Sequence, residues 1–234
     1  MEKGHIFNVN FDVRTDSRGK DPDYASTTLK MYHQFLWSKP LPNGEKLDLI
    51  SGNGFYLKWK EMFFGSDSII VSFMHDNYKL RSYIENAIPN FKDYREDYLK
   101  KSYTIAGSII FPQLKWSMNQ ARGCSRKISD RWDLTLECIR RYYCGESSPL
   151  DTAIQKSREF FNLFIDFKGY VDFFLLQDCV DKNYQVKFWL DTPLFATDPM
   201  PNSLQSYLSW IESELDFVAK RSKRMEDYFN SQYL

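Results

Sequence analysis

The chain has 234 residues, of which 43% are hydrophobic and 17% aromatic, and this composition excludes a disordered chain. Thirty-one basic and 31 acidic residues give a net charge of zero, which excludes a protein coated with positive potential for nucleic acid. The length favours one domain over residues 1–234, with a strand-rich part at 1–112 and a helix-rich part at 113–234 around one core.

The cellular location is predicted from segments that the sequence lacks. The first residues do not form the long apolar stretch of a signal peptide, and no window has the ~18 apolar residues that a transmembrane helix needs. The four cysteines have no C-x-x-C spacing, which indicates free thiols. We therefore expect a soluble cytoplasmic protein that does not act at a membrane.

The first forty residues predict a strand, a loop, a helix and a turn. Apolar residues alternate over 7–13, which predicts a half-buried strand. Charge, glycine and proline predict a loop over 14–23, and helical spacing follows over 24–37 with Ser26 as N-cap. The proline-rich run at 36–44 is interpreted as a packed turn anchored by its tryptophan rather than as a site.

Three aromatic and β-branched runs predict a sheet. The runs 55–59 and 68–73 flank a predicted turn at 65–67, and a third run spans 103–111. The charged, tyrosine-rich stretch between them, 90–101, has helical possibilities.

Two helices are predicted from their capping residues. Ser129 or Asp130 can cap a helix that runs to about Cys144, where Gly145 ends it. The Ser-Pro-x-Asp sequence at 148–151 predicts a second helix that reaches about residue 167.

The last third of the chain predicts one more strand and a long helix. The stretch 170–180 fits a helix or a strand, and 184–190 alternates as a strand does. Asn202 or Ser203 opens an amphipathic helix that runs to about Phe229. Strands and helices without a βαβ rhythm predict an α+β fold, with a mixed or antiparallel sheet packed by several helices and a helix-rich C-terminal half.

The densest group of polar residues predicts an anion site. Seven basic residues and three acidic residues lie between Lys115 and Arg141 in an otherwise neutral chain. A loop just before a helix N-terminus can hold a phosphate through guanidinium groups and free backbone amides. The predicted ligand-binding residues are Asn119, Arg122, Arg126, Lys127 and Arg140.

Two acidic residues of this region, Asp133 and Glu137, are the candidates for catalysis. They lie four residues apart on one helix face, where they could bind Mg²⁺ or act as general acid and base. The alternative is structural: Asp133 pairs with Arg140 and Glu137 with Arg141 on a solvent-exposed face. The sequence favours the structural interpretation of the acids, and whether the chain is an enzyme is left open.

Other kinds of chemistry find little support in the sequence. The acidic stretch at 12–23 has no calcium-loop spacing and is interpreted as a solvated loop, so no metal site is assigned. The three histidines accompany no nucleophile elbow or Cys-His signature. No P-loop or dinucleotide fingerprint occurs, which argues against conventional ATP or NAD chemistry.

Several runs of the sequence resemble one known family. These runs are 21–23, 36–39, 110–112, 118–123, 128–143, 148–150 and 170–178. The chain resembles the bacterial family called domain of unknown function 6994 over nearly its whole length. The resemblance implies a bacterial or phage-borne cytoplasmic protein and implies no mechanism.

Two functions of different classes remain open. The first is binding or processing of a phosphate-bearing ligand, a nucleotide or a nucleic acid, by region 119–141; Arg122→Ala should then abolish binding without unfolding the chain. The second is a noncatalytic protein–protein interaction or structural module, whose exposed aromatic residues and long last helix contact a protein partner or a second copy. A ligand-dependent melting temperature favours the first function, and a concentration-dependent mass favours the second.

Overall fold

A computed structural model describes residues 7–70, 78–122, 128, 131–191, 195 and 201–233, with only the backbone described at 78–81 and 233. Its sheet has four antiparallel strands in the order β1-β2-β3-β4. The strands are β1 (Ile50–Gly52), β2 (Phe55–Trp59), β3 (Met62–Ser68) and β4 (Ser108–Pro112). The α+β prediction is confirmed, and the sheet is antiparallel.

Helices form most of the C-terminal half of the described chain. The α-helices are α1 (Pro22–Ala25), α2 (Thr27–Trp37), α3 (Tyr78–Ala87), α4 (Phe91–Ser102), α5 (Met118–Ala121), α6 (Trp132–Cys144), α7 (Asp151–Lys156), α8 (Arg158–Asn162), α9 (Phe167–Phe173) and α10 (Leu204–Tyr233). Two 3-10 helices span Ile105–Gly107 and Gln177–Cys179. Within the described residues, no helix combines the length and apolar content needed to cross a bilayer.

The helix ends follow the predicted capping chemistry. The Ser26 hydroxyl accepts a hydrogen bond from the Leu29 amide at the start of α2, and Gly145 ends α6 with φ of 71°. The Ser203 hydroxyl accepts from the Ser206 amide at the start of α10. Ser129 and Asp130, the predicted caps of α6, lie outside the described residues, and the residue in the N-cap position is Arg131, which makes no side-chain capping hydrogen bond.

The predicted turn at 65–67 is wrong, because these residues lie inside β3. The hairpin turns instead at Lys60, which has φ of 51°, and Glu61, and Trp59 pairs with Met62. Ser66 then pairs with Ile110 of β4. Pairing with a second strand gives the backbone of 65–67 its hydrogen-bond partners, and this outweighs the turn preference of Gly-Ser-Asp.

Both strands predicted outside this sheet, 7–13 and 184–190, are wrong. In the first segment the Asn8 and Asp12 side chains accept hydrogen bonds from the amides two residues later, which forms turns. In the second segment Asp181 accepts from the Asn183 amide, and only a single bridge, Val180 with Val186, remains. Local side-chain hydrogen bonds therefore replace the strand that the alternation predicts.

The predicted helix from 148 to 167 begins later than expected, at Asp151 with Leu150 in the N-cap position, and then divides. The Ser148 hydroxyl and amide both donate to the Asp151 carboxylate at the start of α7. The helical run is interrupted at Ser157, between α7 and α8, and it stops before Ile165, which has φ of 68°. For the stretch 170–180 the sequence left helix and strand open. Its first part belongs to α9, and its second part contains the 3-10 helix Gln177–Cys179.

Helix α10 contributes to both hydrophobic clusters of the described chain. Its C-terminal part supplies Phe217 and Phe229 to the larger cluster around the sheet, and its N-terminal part supplies Trp210 to a smaller cluster beneath α3 and α4. Within the C-terminal part of α10, the buried Arg221 guanidinium donates to the carbonyls of Ala106, Ser108 and Phe174. The same helix thereby connects the sheet, α9 and the smaller cluster.

Candidate functional site

The structure places Arg122 inside the protein. Its side chain is 2% exposed, and it donates hydrogen bonds to the Asp67 carboxylate at 2.5 Å and to the Thr135 hydroxyl at 2.9 Å. The guanidinium also lies over the Trp132 ring, 5.5 Å from its centroid. A phosphate bound by Arg122 would therefore have to displace Asp67.

Asp133 is buried at the start of α6 rather than exposed. The neighbouring Arg131 guanidinium donates to both carboxylate oxygens, and the Trp189 amide donates to one of them at 2.9 Å. Arg131 is 0% exposed and Asp133 1% exposed. The predicted pairing of Asp133 with Arg140 is therefore corrected: Arg131 is the ionic partner, because it lies beside the carboxylate in the same buried layer.

Glu137 forms the predicted ion pair with Arg141 and a second one with Arg140. The two guanidiniums each donate to its carboxylate at 2.8 Å, and Arg140 also reaches Glu146 at 3.0 Å. Burial raises the pKa of Glu137, but the hydrogen bonds from both arginines outweigh it and leave that pKa below the ordinary 4.5. A carboxylate held in its ionised form does not readily donate a proton at neutral pH.

Of the other residues predicted to bind the ligand, the structure describes Asn119 but not Arg126 or Lys127. Asn119 is half-buried and accepts a hydrogen bond from the Ser117 hydroxyl at 3.2 Å. Arg126 and Lys127 lie outside the described residues. Among the described arginines of this region, the structure pairs Arg122 and Arg140 with carboxylates of the same chain. The ligand-binding and catalytic roles of this region stay predictions.

The carboxylates of the N-terminal segment are also engaged within the protein. Asp12 pairs with Arg14, Asp16 accepts from the Thr28 amide, and Asp23 accepts from the Ser66 hydroxyl. In the part of the chain that the structure describes, no three His, Cys, Asp or Glu residues lie close enough to hold a metal ion.

A different region, which we call the Lys39 pocket, forms a cavity of about 450 Å³. It lies between the turn that follows α2 and the helix α9. Its walls are formed by Lys39, Pro40, Pro42, Asp166, Lys168, Gly169, Asp172 and Phe173. The predicted packed turn at 36–44 is present, with Trp37 fully buried, and this turn forms one wall of the cavity.

The backbone holds Lys39 firmly on this wall. Its amide donates to the Trp37 carbonyl at 2.9 Å, and its carbonyl accepts from the Leu47 amide at 3.1 Å. The residue is only 8% exposed. The side chain therefore extends from a fixed backbone position, which favours a binding site.

Three aromatic rings surround the Lys39 ammonium. Nζ lies 4.7 Å from the centroid of Phe173, 4.8 Å from that of Tyr228 and 5.1 Å from that of Trp37. Ring faces attract a cation, so this arrangement compensates part of the free energy lost when the ammonium leaves water. With respect to the described residues, Lys39 Nζ forms no hydrogen bond and no ion pair.

The surroundings make protonation of Lys39 difficult. Burial is the largest cause, the nearby Arg221 charge adds to it, and Asp172 opposes both, so that the pKa falls from 10.5 to about 7. A strongly perturbed amine beside a cavity is a recognised indication of a functional site.

The opposite wall carries carboxylates that already have partners. Asp172 accepts from Lys168, from Gln177 at 3.1 Å and from the Tyr184 hydroxyl at 3.1 Å. Asp166 caps α9 by accepting from the Gly169 amide at 2.7 Å. The pocket therefore contains two lysines and two aspartates, and its formal charge is zero.

Gly169 lies in close contact with the Phe164 carbonyl and, less closely, with Pro42 of the turn. A Cβ at this position would lie 2.1 Å from the Phe164 carbonyl oxygen and 3.1 Å from Cγ of Pro42. Only glycine fits this contact without moving the backbone.

The comparison with protein families decides the membership of the chain. The model of DUF6994, a family of unknown function, matches residues 7–225. The chain belongs to this family. The DUF6994 match contains every residue that lines the Lys39 pocket, although Tyr228 of the aromatic cage lies beyond it. Searches of curated proteins and of solved structures gave no match.

Proposed function

We propose that this protein binds a small phosphate-bearing ligand in the Lys39 pocket. The observation that supports the proposal is Lys39, a buried residue that lines the cavity and whose amine makes no hydrogen bond or ion pair with any described residue. A buried cation without an anionic partner is costly, and a bound anion compensates that cost. A phosphate oxygen next to Nζ would therefore hold the amine in its charged form.

The charges of the pocket favour a particular kind of phosphate compound. Because its two lysines are balanced by Asp166 and Asp172, the pocket suits a ligand of low net charge, such as a monoester, better than a triphosphate. The carboxylates can also accept hydrogen bonds from ligand hydroxyl groups. A small phosphate ester that carries hydroxyls combines both properties.

This proposal keeps a phosphate-bearing ligand, replaces the predicted nucleotide or nucleic acid with a small ester, and changes the location of the site. The phosphate was expected at 119–141, but the Arg122 and Arg140 guanidiniums already bind carboxylates of the chain. Lys39 forms no such ion pair with a described residue. The interaction-module alternative stays a prediction, since none of these contacts bears on it.

The experiment is isothermal titration calorimetry at low salt with glycerol 3-phosphate, inorganic phosphate and ATP. We expect glycerol 3-phosphate to bind the unmodified chain most tightly of the three. Lys39→Met should weaken this binding at least about tenfold, which corresponds to ~1.4 kcal/mol.

Lys60→Met is the matched control. Lys60 also lies over an aromatic ring, 4.2 Å from the Trp59 centroid, but it is exposed and pairs with Glu45. Its replacement should leave binding unchanged. Equal affinity of the Lys39→Met variant and the unmodified chain, or no binding of any of the three ligands, would refute the proposal.

A further inference from the structure

The Lys39 amine has the properties of a nucleophile as well as those of an anion-binding group. A lysine becomes nucleophilic when it is desolvated in an apolar pocket or placed near another cation. Both conditions hold for Lys39. Aromatic rings surround Nζ, and one of them, the Trp37 ring, is also contacted by the buried Arg221 guanidinium, which lies 5.7 Å from its centroid. With a pKa of about 7, about half of the Lys39 amines are neutral at pH 7, against about one in 3,000 for an ordinary lysine.

We propose that Nζ of Lys39 forms an imine with a small phosphate-bearing aldehyde or ketone that occupies the Lys39 pocket. The inference rests on the proposed function, since the ligand must first bind there. The inference adds a chemical step and a substrate class. The ligand is an aldehyde or ketone that also carries a phosphate group.

The step balances without an oxidant or a reductant. The nitrogen lone pair attacks the carbonyl carbon, and a proton moves from nitrogen to oxygen to give a carbinolamine. The carbon–oxygen bond then breaks, and the oxygen leaves as water with both hydrogens of the former amine. The product is a carbon–nitrogen double bond, which addition of water reverses.

The pocket stabilises the charged form of this product. When the imine nitrogen takes up a proton from water, a positive charge lies at the position of Nζ, where the faces of Phe173, Tyr228 and Trp37 attract it. Asp172, whose negative charge already acts on Lys39, attracts it as well. The small exposed fraction of Lys39, 8%, limits the access of bulk water to the product.

The pocket has space for such a ligand beside the amine. Its volume of about 450 Å³ lies within the range typical of sites for small molecules and cofactors. Lys168 and Asp166 lie on the wall formed by α9 and the residue before it, across from the turn that carries Lys39. A carbonyl ligand can therefore place its phosphate against Lys168 of α9 while its carbonyl, in place of a phosphate oxygen, faces Nζ.

The test uses pyridoxal 5′-phosphate as the probe, because it combines an aldehyde with a phosphate monoester. The full chain is incubated with the probe and treated with sodium borohydride, which reduces an imine to a stable amine, and the labelled peptide is identified by mass spectrometry. We expect saturable labelling at Lys39, with at least about tenfold more label than at the exposed Lys60. Excess glycerol 3-phosphate should suppress it.

The outcomes separate this inference from the proposed function. Binding of glycerol 3-phosphate without borohydride-dependent label on Lys39 would overturn the imine and leave the phosphate site intact. Label spread evenly over exposed lysines would also overturn it. Absence of glycerol 3-phosphate binding by the unmodified chain would refute both proposals. The Lys39→Arg variant retains a cation, so it should still bind glycerol 3-phosphate while its reduced adduct at position 39 disappears.

Discussion

The Arg122 guanidinium contacts the Asp67 carboxylate at 2.5 Å and so ties the residue that follows α5 to the strand β3. This pair is largely shielded from water, since the Arg122 side chain is 2% exposed and that of Asp67 19% exposed. Removing one member of such a pair leaves the other charge without compensation. The relationship makes Arg122 a structural residue, whatever its role in binding.

We therefore predict that Arg122→Ala destabilises the chain by about 3–5 kcal/mol, measured by urea unfolding. The control is Lys101→Ala, because Lys101 and Asp97 form an ion pair in which both side chains are 59% exposed, and its loss should cost less than about 1 kcal/mol. Equal stability of the two variants would contradict this prediction. The expectation from sequence, lost binding in a folded Arg122→Ala variant, would then regain support.

The second prediction concerns Lys39 and pH. Its pKa is about 7 in the folded chain against 10.5 for an ordinary lysine, so the unfolded chain binds more protons between these values. Stability should therefore rise with pH across this window, by an amount on the order of 4 kcal/mol. The Lys39→Met variant lacks this pH-dependent change in stability, because methionine does not titrate.

The measurement is the difference in unfolding free energy between the unmodified chain and Lys39→Met, at several pH values from 6 to about 11. The difference removes the contribution of other titrating groups that both chains share. The unmodified chain should gain stability relative to the variant as the pH rises. A constant difference would show that Lys39 titrates normally.

The third prediction concerns the ionised Glu137. Burial raises the pKa of Glu137, but the hydrogen bonds from Arg140 and Arg141 outweigh it, so the folded pKa lies below 4.5. The stability that this carboxylate contributes is therefore complete above pH 4.5 and is lost as the pH falls through the folded pKa. Glu137→Gln should cost about 2–3 kcal/mol at pH 7 by chemical denaturation and less in acid.

Glu61→Gln is the control for Glu137, because the Glu61 side chain is 97% exposed and lies 3.8 Å from Lys58. This change should alter the free energy of unfolding by less than about 1 kcal/mol at either pH. A Glu137→Gln effect of the same size at pH 7 would mean that the two arginines are not held by this carboxylate.

The fourth prediction concerns the contact between Gly169 of α9 and the Phe164 carbonyl that precedes this helix. Gly169→Ala places a Cβ against the Phe164 carbonyl, and we expect a loss of at least about 1–3 kcal/mol in thermal unfolding experiments. Gly65→Ala is the comparison, because its Cβ meets only the Gln113 side chain, which can move away. If both variants melt at the same temperature, the backbone contact at Gly169 is not restrictive.

Features fixed by neighbouring residues could be predicted from the sequence. The caps at Ser26, Gly145 and Ser203 and the pairing of Glu137 with Arg141 all depend on residues within four positions. The strand prediction at 184–190 was wrong for a related reason. The Asp181 carboxylate accepts hydrogen bonds from the amides of Asn183 and Gln185, which a strand would use for pairing, and the alternation of apolar residues gives no sign of this competition.

The Lys39 pocket could not be predicted because its parts are distant in the sequence. Trp37 is a neighbour of Lys39, but Phe173 and Tyr228 come from α9 and α10. The only local signal was a lysine between a tryptophan and two prolines, which a packed turn explains equally well. Likewise, the Arg122 partner Asp67 lies 55 positions away, so its guanidinium looked available for a ligand.

The buried Arg221 has a consequence for the order of folding. Its guanidinium reaches carbonyls that lie 47, 113 and 115 positions earlier in the chain, so these contacts form only after long loops have closed. The guanidinium must also lose its water before the carbonyls replace it, and an incomplete arrangement leaves a charge desolvated without partners. We therefore expect α10 to dock in an all-or-none step, in which the sheet, α9 and the cage around Lys39 reach their final arrangement together.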